Sequence, residues 1–132
     1  MKKQAHNPWQ WQDHYGFSQG LEFTGQSRIM LCAGQTSTDG EGNPIHAGDI
    51  NAQTAQCMDN LEQVLARAGM TLANVVRLNY YTTDVEAFMG AMGVVMERFA
   101  AIEGPPPAST LLGVAALFHP DVKIEIEATA VA

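Results

Sequence analysis

The sequence predicts an α+β domain in which two helices lie on one face of a mixed sheet. Three observations carry that reading. Strand and helix signals alternate along the chain as β-β-α-β-α-β-β, which implies one sheet with helices laid on it. Only two segments have helical spacing, and two helices can cover only one face. The last strand alternates strictly, with Val122, Ile124, Ile126, Ala128 and Ala130 on one side and Lys123, Glu125, Glu127 and Thr129 on the other.

Each element has its own local justification. Residues 1–16 are read as an N-terminal arm. Its stretch from His6 to Gly16 is polar and aromatic, with Trp9 and Trp11, and is expected to be loosely ordered or to pack its rings on a partner subunit. Gly20-Leu21-Glu22-Phe23-Thr24 alternates as a strand, and Arg28 to Ala33 is a second, nearly continuous apolar one. The run from Thr38 to Pro44 holds Asp, two Gly, Asn and Pro, which is turn chemistry. A helix then spans about Asn51 to Ala68, capped by Asp49 or Asn51, with Met58, Leu61 and Leu65 as its buried stripe. Gly69 ends it.

Val75 to Thr82 is rich in β-branched and aromatic residues and reads as a strand. Thr83 and Glu86 match a capping box for a second helix that shows Phe88, Met92, Val95 and Phe99 on one face. Gly90 and Gly93 weaken that helix by roughly 1 kcal/mol each relative to alanine, and would let another backbone approach. Gly104-Pro105-Pro106-Pro107 stops it. Ser109 to Leu117 reads as a strand that is apolar on both sides, and Val122 to Val131 as the last one. The sheet face away from the helices therefore also needs cover, and a second subunit is the expected source.

Composition narrows the function classes. With 132 residues, 46% apolar and 16% charged, the chain is one globular domain. Its net charge is −7, with seven Lys+Arg against fourteen Asp+Glu. That leaves no basic stripe to displace counterions from nucleic acid, and it disfavours anionic membrane surfaces. No apolar run reaches the roughly 18 residues of a spanning helix. No apolar h-region follows Met1-Lys2-Lys3-Gln4, so a cytoplasmic location is expected. Cys32 and Cys57 have no CxxC spacing and read as reduced, buried thiols.

Two motifs are set aside. Gly16-Phe17-Ser18-Gln19-Gly20 matches the G-x-S-x-G nucleophile elbow, but a strand follows it where that motif needs a helix. His6, His14, His46 and His119 lack ligand spacing, so no metal site is expected. The last strand is more informative. Glu125 and Glu127 are two apart and share a face, about 7 Å from one another. On a face that another subunit covers, such a carboxylate is desolvated, its pKa is expected to rise, and it can orient a water or act as a general base.

Pro107-Ala108-Ser109-Thr110-Leu111-Leu112-Gly113-Val114-Ala115-Ala116-Leu117, followed after six residues by Ile124-Glu125-Ile126-Glu127-Ala128, resembles the signature of the RidA/YjgF family with one change. Cys32-Ala33-Gly34-Gln35, the helix from Gln53 to Gly69 and the strand from Val75 to Asp84 resemble further parts of it. The resemblance implies a chorismate-mutase-like fold, a homotrimer, and three ligand sites, each between neighbouring subunits. It implies hydrolysis of imines and enamines such as 2-aminoacrylate to keto acids and ammonia, without metal or cofactor. Glu125 falls where the family places the glutamate that orients the attacking water, and Gly34 where a backbone group meets the ligand.

The departures from the pattern carry as much information. The family's arginine, which clamps the substrate carboxylate, corresponds to Ser109, which supplies neither charge nor fork geometry. By analogy with buried charge pairs, that loss weakens binding by roughly 2–5 kcal/mol. The ligand-facing tyrosine corresponds to Phe17, and an asparagine of the second helix to Gly93 after a one-residue insertion. None of Arg28, Arg77 and Arg98 is assigned to the site. A pocket of Phe17, Ser109, Thr110, Leu111 and Tyr81 is expected to take a less acidic, more apolar ligand. Three functions compete: an imine hydrolase with an altered substrate, a non-catalytic trimer that holds an apolar metabolite or a partner protein, and a purely structural oligomer.

Overall fold

Buried residues alternate along one strand, β6 (Ile124–Val131), and the rest of the molecule is arranged around it. The computed structural model describes all 132 residues. β6 lies between β3 (Ile29–Thr36) and β4 (Val75–Thr82), antiparallel to both. β5 (Ala108–Gly113) closes the far edge, parallel to β4, giving the order β3-β6-β4-β5. A parallel neighbour needs a crossover, and α2 (Val85–Phe99) supplies it. α1 (Ile50–Ala66) packs beside α2 on the same sheet face.

The core is the layer between these helices and the sheet. Met58, Leu61, Leu65, Phe88, Ile124 and Ile126 are fully buried there. Each such side chain contributes about 1.5–3 kcal/mol relative to exposure. The two cysteines lie in this layer, and burial pushes the Cys57 thiol up to about 12 and raises that of Cys32, so both stay protonated. Arg98 of α2 bridges Asp59 at 2.8 Å and Glu62 at 2.6 Å, which clamps the helices together and accounts for that cation.

Local signals place the helix ends. The Asp49 carboxylate accepts from the Ala52 N–H at 3.0 Å and is the cap of α1. Gly69, at φ +70°, lets the Met70 N–H turn back to the Leu65 carbonyl at 3.0 Å. The expected Thr83–Glu86 capping box does not form. Asp84 caps α2 instead, accepting from the Ala87 N–H at 3.0 Å, while the buried Thr83 hydroxyl has no partner. The reason is the turn before it: the Thr82 hydroxyl donates to the Lys123 carbonyl at 2.6 Å and accepts from the Asp84 N–H at 3.1 Å, so Asp84 is the residue that leaves the strand.

Two further expectations are corrected, and a third is not met within one chain. Residues 2–6 are not a loose arm: β1 (Lys2–His6) pairs antiparallel with β2 (Gly20–Thr24), and a 3-10 turn over Trp11–Tyr15 lies between them. β5 stops at Gly113 and does not continue to Leu117, because its neighbouring strand β4 ends at Thr82, opposite Gly113. Beyond the helix's own backbone and the flanking residues, nothing in this chain lies within 4 Å of the space a Cβ would fill at Gly90 or Gly93, so neither receives a backbone from another part of the chain.

Candidate functional site

Strand alternation decides the layout of the site. Ser109 and Thr110 are consecutive on β5 and so belong to opposite sheet faces. Ser109 and Leu111 face the helices, and Thr110 faces away. The pocket expected from Phe17, Ser109, Thr110, Leu111 and Tyr81 is therefore divided within one chain. Phe17, Ser109 and Leu111 meet on the helix side; Thr110, Tyr81, Gly34 and Glu125 belong to the open face.

The helix-side group lines a cavity of 380 Å³. Ser18 builds it: its hydroxyl donates to the Pro106 carbonyl at 2.6 Å and its N–H to the Pro107 carbonyl at 3.1 Å. That tie brings Phe17 beside Ser109, and it gives the serine of the G-x-S-x-G match a structural role. Gly16, at φ +72°, turns the chain out of the 3-10 turn, and Trp11 packs edge-on to Phe17 with centroids 5.9 Å apart. Tyr80, Met92, Met96 and Phe99 form much of the remaining wall, and no charged residue lines it. Burial raises the Tyr80 phenol, so that group is neutral too. Met92 and Phe99, read from the sequence as buried stripe, are only partly buried because they face this space.

The open face is different. β4 contributes Arg77, Asn79 and Tyr81, and β6 contributes Glu125 and Glu127. The Tyr81 hydroxyl donates to Glu127 Oε1 at 2.5 Å and the Asn79 amide to the same oxygen at 2.9 Å. These bonds hold Glu127 below the usual carboxylate range and raise the Tyr81 phenol. For Glu127 the expected upward shift is thus reversed, because two donors outweigh its partial desolvation. Glu127 stays ionised and acts as an anchor. Arg77 Nη2 donates to Thr110 Oγ1 at 2.7 Å, so Arg77 belongs to this face and not to the cavity. Ile29, Leu31 and Leu112 give it an apolar margin, and Leu31 is 80% exposed.

Glu125 is seated differently from Glu127. β3 shifts register between Cys32 and Gln35, and Gly34 lies in that irregular stretch. A Cβ at position 34 would overlap the Glu125 carboxylate, coming within 2.6 Å of Cδ and 2.8 Å of Cγ. The side chain therefore lies directly on the Gly34 backbone. Two residues of α1 hold the strands that create this fit. Asn60 Nδ2 donates to the Thr36 and Thr38 carbonyls at 3.0 and 3.1 Å, fixing the end of β3. Gln53, buried, donates to the Asp121 carbonyl at 2.8 Å and accepts from the Lys123 N–H at 2.9 Å, fixing the entry to β6. Gly34→Ala is expected to swing the Glu125 carboxylate off the backbone. Activity should fall as far as in Glu125→Gln, while thermal stability changes by under about 1 kcal/mol, because a half-exposed glutamate can turn to water. A full loss of folding in Gly34→Ala would show instead that the overlap is rigid.

Sequence reasoning missed the wall formed by Trp11, Tyr15, Tyr80, Met89 and Met96. Met92 and Phe99 were legible only as members of the apolar face of the second helix. That reasoning named Glu127 as a face-mate of Glu125 but not its tie to Tyr81 and to its cross-strand neighbour Asn79.

The pattern of the family described as endoribonuclease L-PSP matches residues 13–132. The mitochondrial mmf1 protein of Schizosaccharomyces pombe is 32% identical over 116 residues, which cover 86% of this chain and 67% of that protein. A RutC family protein of Pyrococcus horikoshii is 35% identical over 102 residues, covering 77% of this chain and 78% of that one. Among solved structures, YyfB of the conserved Rid family from Yersinia pestis superposes with a TM-score of 0.89 at 32% identity, covering 100% of both chains. A member of the YjgF/YER057c/UK114 family from Mycobacterium tuberculosis gives a TM-score of 0.66 at 28% identity, covering 99% of this chain and 100% of that one. No helix is long and apolar enough to cross a membrane.

Proposed function

The chain belongs to the RidA/YjgF family, described as endoribonuclease L-PSP, and from that premise we propose that it is an imine or enamine hydrolase whose pocket takes an uncharged, apolar reacting group. The observation that carries the proposal is the seating of Glu125 on Gly34, which leaves one ionisable carboxylate held by shape while its neighbour Glu127 is consumed by Tyr81 and Asn79. In the proposed reaction a water adds to the imine carbon as Glu125 takes its proton. The π electrons of the carbon–nitrogen double bond pass to nitrogen, which takes that proton back from Glu125. As the carbon–nitrogen bond of the carbinolamine then breaks, Glu125 moves the hydroxyl proton to nitrogen in the same way. Ammonia leaves and a carbonyl remains, so one imine and one water give one carbonyl compound and one ammonia.

Cavity and carboxylate lie on opposite faces of one sheet, so a complete site requires two copies of the chain. The homotrimer of the family supplies that arrangement: the cavity of one copy receives Glu125 from the next. The exposed apolar margin of Ile29, Leu31 and Leu112 supports burial of the open face. The net charge of −7 supports a small molecule over RNA as the substrate.

The test is ammonia release, above the uncatalysed rate, from two kinds of imine made in situ. One kind is the neutral aldimines that an amine oxidase forms from aromatic primary amines; the other is 2-iminopropionate. Turnover should favour the neutral aldimines and disappear in Glu125→Gln at unchanged oligomer size. Unchanged turnover in that variant would remove Glu125 from the mechanism. The uncharged cavity also favours a second reading, a binding protein without catalysis. No turnover across the panel, together with a raised Tm in one of its amines, would establish that reading.

A further inference from the structure

The cavity does not end at its back wall. A second hollow of 280 Å³ adjoins it, and the two share Gly16, Met96, Phe99 and Pro107 as lining. The partition is largely the Met96 side chain, whose Cγ, Cε and Sδ lie 3.1, 3.2 and 3.6 Å from where a Cβ on Gly16 would stand. Methionine is unbranched with three rotatable bonds, so this wall can move aside without strain in the backbone. The only basic residue lining either hollow is Lys3 of β1, which borders the second and not the first. Its ammonium donates to the carbonyl of Ala73, another residue of that lining. Glu103 also borders this space, but it is exposed at the rim and free to turn into water.

We propose that the two hollows form one bent site for an elongated ligand, with an apolar body in the first and an anionic group on Lys3 in the second. The proposal rests on the reading of the first hollow as the ligand site and names the ligand's second end. A carboxylate grip is thereby retained but moved from the reacting carbon, where Ser109 stands, to the distal end of the molecule. Lys3 is partly buried and ion-pairs with no carboxylate, and burial already lowers its pKa. An arriving anion would supply the missing countercharge and a charge-assisted hydrogen bond.

Trp11 lines the first hollow and Trp9 does not, so in a Trp9→Phe chain the indole fluorescence reports on that hollow alone. Three probes separate the claims: benzyl alcohol, 4-phenylbutyrate and 4-phenylbutanamide. All three should perturb Trp11, with the carboxylate binding about tenfold more tightly than its amide. Lys3→Gln should abolish that preference, Lys3→Arg should keep it, and benzyl alcohol should bind all three chains alike. Met96→Phe places a rigid ring in the partition, and should weaken 4-phenylbutyrate more than it weakens benzyl alcohol. Equal binding of acid and amide to the unaltered Lys3 chain, or a preference that survives Lys3→Gln, would overturn the two-chamber proposal and leave the first cavity standing. If no probe perturbs Trp11, the first cavity is not a ligand site and both readings fall.

Discussion

Neither a Glu125→Gln chain nor a Ser109→Trp chain is expected to turn over imine alone, but oligomers containing both should recover about one third of the native rate per trimer. The expectation follows from the two faces of the sheet. Ser109 borders the helix-side cavity and Glu125 lies on Gly34 on the other face. On the proposed reading, a ring of three copies joined head to tail would build each site from the cavity of one copy and the carboxylate of the next. Any trimer of mixed composition then has one junction at which an intact cavity meets an intact Glu125. Co-expression with two affinity tags and sequential purification isolates the mixed species, and ammonia release measures them. Should Ser109→Trp fail to fold, Leu111→Trp blocks the same cavity from the next inward-facing position. Mixed trimers as inactive as their parents would show that no site is shared between copies.

Ser109→Arg is expected to raise kcat/KM for 2-iminopropionate by at least about 30-fold, the low end of the roughly 2–5 kcal/mol attributed to a charged clamp. A guanidinium at this position can meet the substrate carboxylate with two parallel N–H donors, which a single hydroxyl cannot. Without ligand it faces a cavity that has no charged residue, so burial without a partner should lower Tm by several degrees. Pyruvate, the product carboxylate, should recover part of that loss by binding the folded state alone. The two readouts must move together. A variant that melts lower but gains neither 2-iminopropionate turnover nor stabilisation by pyruvate would mean that position 109 does not border the reacting group. Turnover of the neutral aldimines should fall in the same variant, since the arginine occupies space that an apolar substituent needs.

Much of the fold is legible in short-range patterns. The alternation from Val122 to Ala130 places five residues in the core, and all five are buried. Asp49 and Gly69 bracket the first helix as their chemistry requires. The period of two also implies that Ser109 and Thr110 part company, so the division of the site was implicit in the sequence. β1 was not legible, because Lys2-Lys3-Gln4-Ala5-His6 has no apolar alternation and owes its strand to pairing with Gly20–Thr24. The end of β5 was not legible either, since it is set by where β4 ends.

The sequence by itself determined the periodic elements, their inward faces, a cap for the first helix at Asp49 or Asn51, and its stop at Gly69. Those properties depend on residues within one or two turns of each other. Only the tertiary structure decided that Ser18 draws Phe17 to Ser109, that Gly34 makes room for Glu125, that Tyr81 and Asn79 claim Glu127, and that Met96 stands between two hollows. These contacts join residues far apart in the chain. They exist because strand register and helix packing are fixed together by the whole buried core, and no local window of sequence contains that sum.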